Sequence, residues 1–116
     1  MAETFNELEL AIFQWLKSSY SNSQLTSQID SAKYLRRDWT GVGLYVYFEV
    51  SRHLDPIDLD DFDGHWPING PALESDDIHY GGGTIVWGTD GYIDCIEMYA
   101  YGDFFNETVK KFKITA

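Results

Sequence analysis

Apolar and polar residues follow three rhythms along this chain, and each rhythm predicts a different kind of element. Near the N-terminus, Phe5, Leu8, Ile12, Trp15 and Leu16 recur every three or four positions, with Glu3, Glu7, Glu9 and Lys17 among the polar places. That spacing predicts an amphipathic helix ending at Ser18 or Ser19, because residues three and four apart share one helix face. Thr4 and Glu7 form a T-x-x-E box in which each side chain satisfies the other's backbone donor at the helix start. A loop over 19–23 follows, and Leu25, Ile29 and Ala32 predict a short second helix over 24–31.

From about Tyr34 the period drops to two. Residues 34–39 read as a short strand, Thr40-Gly41 as a turn, and 43–50 as a second strand. In that strand Val42, Leu44, Val46, Phe48 and Val50 share the core face, while Gly43, Tyr45, Tyr47 and Glu49 share a half-covered one. The third rhythm is a hairpin. Two apolar runs, 84–87 and 92–101, flank Gly88-Thr89-Asp90-Gly91, and Asp-Gly supplies the positive φ that a tight turn needs. The glycine run 81–83 reads as the start of the first hairpin strand, and the acids Glu74, Asp76 and Asp77 make 72–80 read as a blunted edge strand. Residues 104–107 read as a turn or one helical turn, and 109–115 alternate as a last strand. Between the second strand and the hairpin the periodicity dissolves into a loop over 51–71. It holds all three prolines and is pinned by Ile57, Leu59, Phe62 and Trp66. The expectation is one α+β domain over 1–116, with a helical part at 1–33 packed on an antiparallel sheet of about four to six strands at 34–116.

Composition changes the picture in one respect. At 116 residues and 44% hydrophobic the chain is long enough to bury a core without staples, but its net charge is −11. The acidity is concentrated: residues 51–107 carry a net −12, against −2 before them and +3 after. A chain so charged lacks the basic patches that nucleic-acid phosphates and anionic membranes require. No apolar run approaches a membrane span, no secretory leader pattern precedes the first helix, and the lone Cys95 suits a reducing compartment. The expected location is the cytoplasm.

Candidate chemistry is thin. Asp61-Phe62-Asp63-Gly64 resembles the end of a calcium loop, yet aligning its glycine places Leu59 at the first ligand position and Gly70 where a bidentate Glu is needed. His53, His65 and His79 lie 12 and 14 positions apart, without the short spacing of metal pairs, so no metal or cofactor is expected. Cys95 alternates with Ile93 in an apolar strand and reads as a buried, inert thiol. Glu97 is the anomalous acid, since it interrupts an apolar strand. Asp94, three residues earlier, falls on the opposite face by strict alternation. Glu97 on the face of Tyr45, Tyr47 and Tyr99 would accept tyrosine hydroxyls or pair with Arg36 or Arg37, and it is the best candidate for a ligand-binding or acid/base group.

The segments Arg37-Asp38-Trp39-Thr40-Gly41-Val42-Gly43-Leu44-Tyr45, Asp90-Gly91-Tyr92 and Ile96-Glu97-Met98-Tyr99-Ala100-Tyr101-Gly102-Asp103 together resemble small, acidic, uncharacterised bacterial proteins. In size, charge and compactness the chain is also similar to immunity proteins. That resemblance implies a cytoplasmic inhibitor of a cognate basic toxin. Two functions follow as expectations. The first is an interaction domain that engages a basic protein through the acidic loop, with Asp55, Asp58, Asp60, Asp61, Phe62, Asp63 and Trp66 at the contact. The second is a small-ligand module or enzyme built on Tyr45, Tyr47, Glu97 and Tyr99. A homo-oligomer pairing its tyrosine-rich faces is a third arrangement.

Overall fold

A computed structural model describes residues 4–40, 43–75, 78–100 and 113–115. The helical rhythm folds as α1, Glu7–Tyr20, and α2, Ser23–Ser31. The helix start corrects the Thr4–Glu7 box. Asn6 is the cap: its side chain accepts from Glu9 N–H, and the Glu9 carboxylate accepts from Asn6 N–H, each at 2.9 Å. Asparagine caps at least as well as threonine. Starting two residues later also leaves Phe5 outside the helix, where its ring meets Phe13, Tyr34 and Phe48 edge-on. α2 begins likewise, with Asn22 accepting from Leu25 N–H.

The strands are β1 Lys33–Trp39, β2 Gly43–Glu49, β3 Ile68–Asn69, β4 Ala72–Ser75, β5 Ile78–Thr89, β6 Tyr92–Ala100 and β7 Lys113–Thr115. All pairings are antiparallel, in the order β1-β2-β6-β5-β4-β7, with β3 beside β5. The β5–β6 hairpin is the centre of the sheet. Asp90 and Gly91 turn it with φ of 55° and 89°, as a two-residue turn with positive φ at both positions requires. The strand pattern over 72–80 is corrected in two ways. β4 is an interior strand, bonded to both β5 and β7, and Ile78 already belongs to β5. β5 therefore begins before the glycines and runs through them instead of starting with them; Gly82 and Gly83 stay in register with Ala100 and Tyr99. Asp76, Asp77, the turn at 104–107 and most of the last predicted strand lie outside the described residues.

The alternation read from β2 holds for Leu44, Val46, Phe48 and Val50, which are buried, while Val42 lies outside the described residues. On this face they meet Ile12, Phe13 and Leu16 of α1, Leu25 and Ile29 of α2, and Val86, Ile93, Ile96 and Met98 of the hairpin. Both helices thus cover one face of the sheet. The loop from Ser51 to Pro71 closes the same side through buried Ile57, Phe62 and Ile68, and a short 3-10 turn at Leu59–Phe62 shapes it.

Gln28 ties these parts together. Wholly buried in α2, it donates from Nε2 to the carbonyls of Asp55 and Gly91 and accepts from Ile93 N–H through Oε1. One amide therefore satisfies backbone groups of the loop, the hairpin turn and β6, groups that burial would otherwise leave costly.

The sheet face opposite the helices as candidate functional site

Two β-bulges decide which side chains reach the far face of the sheet. In β6, Gly88 pairs with Ile93 and Trp87 with Cys95, so Asp94 is an extra residue without a partner. Ile93 and Ile96 are both buried in the core although three apart, an arrangement that strict alternation forbids. The bulge resolves it: Asp94, Cys95, Glu97 and Tyr99 all turn away from the core. This corrects two sequence readings, the opposite placement of Asp94 and Glu97 and the shared face of Ile93 and Cys95. In β1 the extra residue is Leu35, between Tyr34 and Arg36. That bulge sends Arg36 outward beside Tyr47 and Arg37 inward beside Val46.

The register then fixes the rows of the face. Asp38, Tyr45, Glu97 and Ile85 lie across four neighbouring strands, and Arg36, Tyr47, Cys95 and Trp87 form the next row. Tyr45 and Tyr47 stack with centroids 6.1 Å apart. The Arg36 guanidinium sits 4.0 Å from the Tyr47 ring centre and 3.2 Å from Asp38 Oδ2. Trp87, 38% exposed, donates from Nε1 to Glu97 Oε1 at 3.0 Å, and Tyr45 stands directly opposite Glu97 in the β2–β6 register. Tyr99 lies flat across Gly83, whose missing Cβ would stand 2.5 Å from the tyrosine oxygen. The four residues expected to share a face, Tyr45, Tyr47, Glu97 and Tyr99, do share it, and among the described residues no helix packs on it. Trp87 and Arg36 complete the group. Trp87 was legible as a strand aromatic, but only the pairing register shows that its indole reaches Glu97.

The electrostatics are those of an acidic, aromatic surface. The Glu97 charge beside Tyr45 pushes that phenol above its usual range, with desolvation adding to it. Burial pushes the Cys95 thiol up to about 12, and the charges of Asp94 and Glu97 act the same way. Burial also raises Asp94, against a hydrogen bond from Thr89 and the nearby Arg52 charge. Each shift favours the neutral form, so neither the phenol nor the thiol is activated for proton transfer or attack.

The acidic loop lies on the helical side. Asp55, Asp58, Asp60, Asp61 and Asp63 are exposed, Trp66 is half-buried against Gly88, and Phe62 is buried against the Tyr20 ring. Several of its polar groups are structural: Asp58 accepts from Asp60 N–H, Asp61 accepts from Asn22, and the Asp55 carbonyl holds Gln28. Phe62 is therefore a core residue, while the five carboxylates face water. The two sets of candidate residues stand on opposite sides of the sheet. Among the described residues no group of three His, Cys, Asp or Glu converges as a metal site, and no helix is long and apolar enough to cross a membrane.

No protein-family model, curated protein or solved structure matches this chain.

Proposed function

We propose that the chain is a protein-interaction domain that binds a basic polypeptide on the sheet face opposite its helices. Neutralisation of a basic toxin in the cytoplasm, as immunity proteins perform it, is the concrete form. The observation that carries this reading is Glu97, held by Trp87 and facing Tyr45 at the middle of an aromatic face with no ion pair to a described cation. Aromatic side chains commonly anchor interfaces, and a carboxylate fixed by a neutral donor keeps its charge for a partner. The net charge of −11, with the exposed carboxylates of Asp55, Asp58, Asp60, Asp61 and Asp63, speeds the approach of a basic protein without touching it at the end. A small-ligand module or enzyme would use the same Tyr45, Tyr47, Glu97 and Tyr99. The upward shifts at Tyr45 and Cys95 favour recognition over acid/base or nucleophilic chemistry.

Photo-crosslinking in the native cell tests this. p-Benzoylphenylalanine at position 49, exposed on the face opposite the helices, is compared with the same group at position 14, exposed on α1. The expected result is a basic protein captured from position 49 alone, with capture weakened at high salt. Equal capture from both positions, capture of acidic proteins, or no adduct overturns the proposal.

A further inference from the structure

The face opposite the helices already shows how it binds a cation. Arg36 lies on the Tyr47 ring at 4.0 Å and reaches Asp38 at 3.2 Å, so one aromatic and one carboxylate together hold one guanidinium. The neighbouring places repeat those parts without a described cation. Tyr45 stands directly opposite Glu97 in the β2–β6 register, and Trp87 comes in from β5 to bond Glu97 Oε1. The indole donor is neutral, and among the described residues no cation pairs with this carboxylate, whose charge raises the neighbouring phenol of Tyr45.

We infer that the Tyr45–Glu97–Trp87 group is a second guanidinium seat that takes an arginine side chain of the basic partner. This deepens the proposed function and rests on it. Arginine suits the seat better than lysine, because a planar guanidinium stacks on a ring while its N–H groups reach a carboxylate. The resident Arg36 does both on the adjacent row. The negative charge of the face selects a partner's arginine over any anionic or neutral side chain.

The probe is an acetylated, amidated Gly-Arg-Gly peptide, titrated into the ¹⁵N-labelled chain while following the Trp87 indole N–H resonance, identified by its loss in Trp87→Phe. Matched peptides carry lysine or the neutral isostere citrulline. The expected result is a saturable Trp87 shift with arginine, weaker by roughly tenfold with citrulline and severalfold with lysine. Glu97→Gln keeps an acceptor for the indole but removes the charge, and it should weaken arginine binding by about tenfold. Glu49→Gln, which removes a carboxylate two rows away on the same face, should change it by less than about twofold. Citrulline or lysine matching arginine, indifference to Glu97→Gln, or a Trp87 shift that follows protein dilution instead of peptide overturns the inference. If the arginine peptide leaves Trp87 unmoved while a basic protein is still captured from position 49, the seat is wrong and the interaction domain stands. Loss of both removes both.

Discussion

Arg37 grips Glu9 with two hydrogen bonds across 28 residues of chain, Nε to Oε2 and Nη2 to Oε1, each at 2.6 Å. The Glu9 side chain is wholly buried and that of Arg37 is 16% exposed. The same carboxylate completes the N-terminal cap of α1, so one acid joins the first helix to the edge strand β1.

Removing either partner leaves the other charged and desolvated. Glu9→Ala or Arg37→Ala should each destabilise the fold by about 3–5 kcal/mol, and the double variant should lose less than the sum. Urea unfolding of the three variants checks this. Additive losses would show that the pair is not coupled.

Gln28→Leu keeps the volume but leaves the Ile93 amide and the carbonyls of Asp55 and Gly91 without their side-chain partner. A loss of about 2–4 kcal/mol is expected. The loop over 51–71 should also be cut faster by protease, because the amide is one of its ties to the hairpin. Unchanged cleavage would mean that Ile57 and Phe62 hold the loop unaided.

Cys95 predicts a stability loss in alkali. Its thiol ionises at about 12 when folded and near 9.0 when unfolded. Below pH 9 both states keep the proton. Between 9 and 12 only the unfolded state releases it, so stability falls as pH rises through that window. Cys95→Ala should lack this component of the pH slope, and the native thiol should resist alkylation at pH 8. Rapid labelling of the folded chain at that pH would contradict the placement.

Tyr45 reports on its neighbour. Since the Glu97 charge is the largest cause of its raised phenol, Glu97→Gln should bring the titration down toward the ordinary tyrosine range. A tyrosine-ring ¹³C titration in the folded protein reads this. A titration unmoved by Glu97→Gln would separate the two groups.

Much of the scaffold was legible because its signals are local. The helix spacing, the β2 alternation and the Asp90-Gly91 turn each lie within a few residues, and each element formed close to its expected place, α1 starting two residues late. The failures are non-local. A bulge at Asp94 carries no strong residue signature, yet it reverses the facing of everything before it, so parity from Glu97 misplaces Asp94 and Ile93. Glu9 looked like one more polar helix position, since its partner Arg37 is reached only when β1 folds against α1. Phe62 carries two expectations, a pin of the loop and a partner contact, and only the first survives, because the 3-10 turn packs its ring on Tyr20 in the core. The group Tyr45, Tyr47, Glu97 and Tyr99 was legible from alternation; its completion by Trp87 needed the register.

The most direct measurement of the central claim, that the face opposite the helices and not the acidic loop makes the contact, compares two charge reversals against the basic protein captured from position 49. Glu97→Lys is expected to weaken its affinity at least about tenfold through faster dissociation. Asp55→Lys with Asp60→Lys should slow association by a few fold and leave dissociation unchanged. The opposite order, with dissociation governed by Asp55 and Asp60 and indifferent to Glu97, would contradict the account.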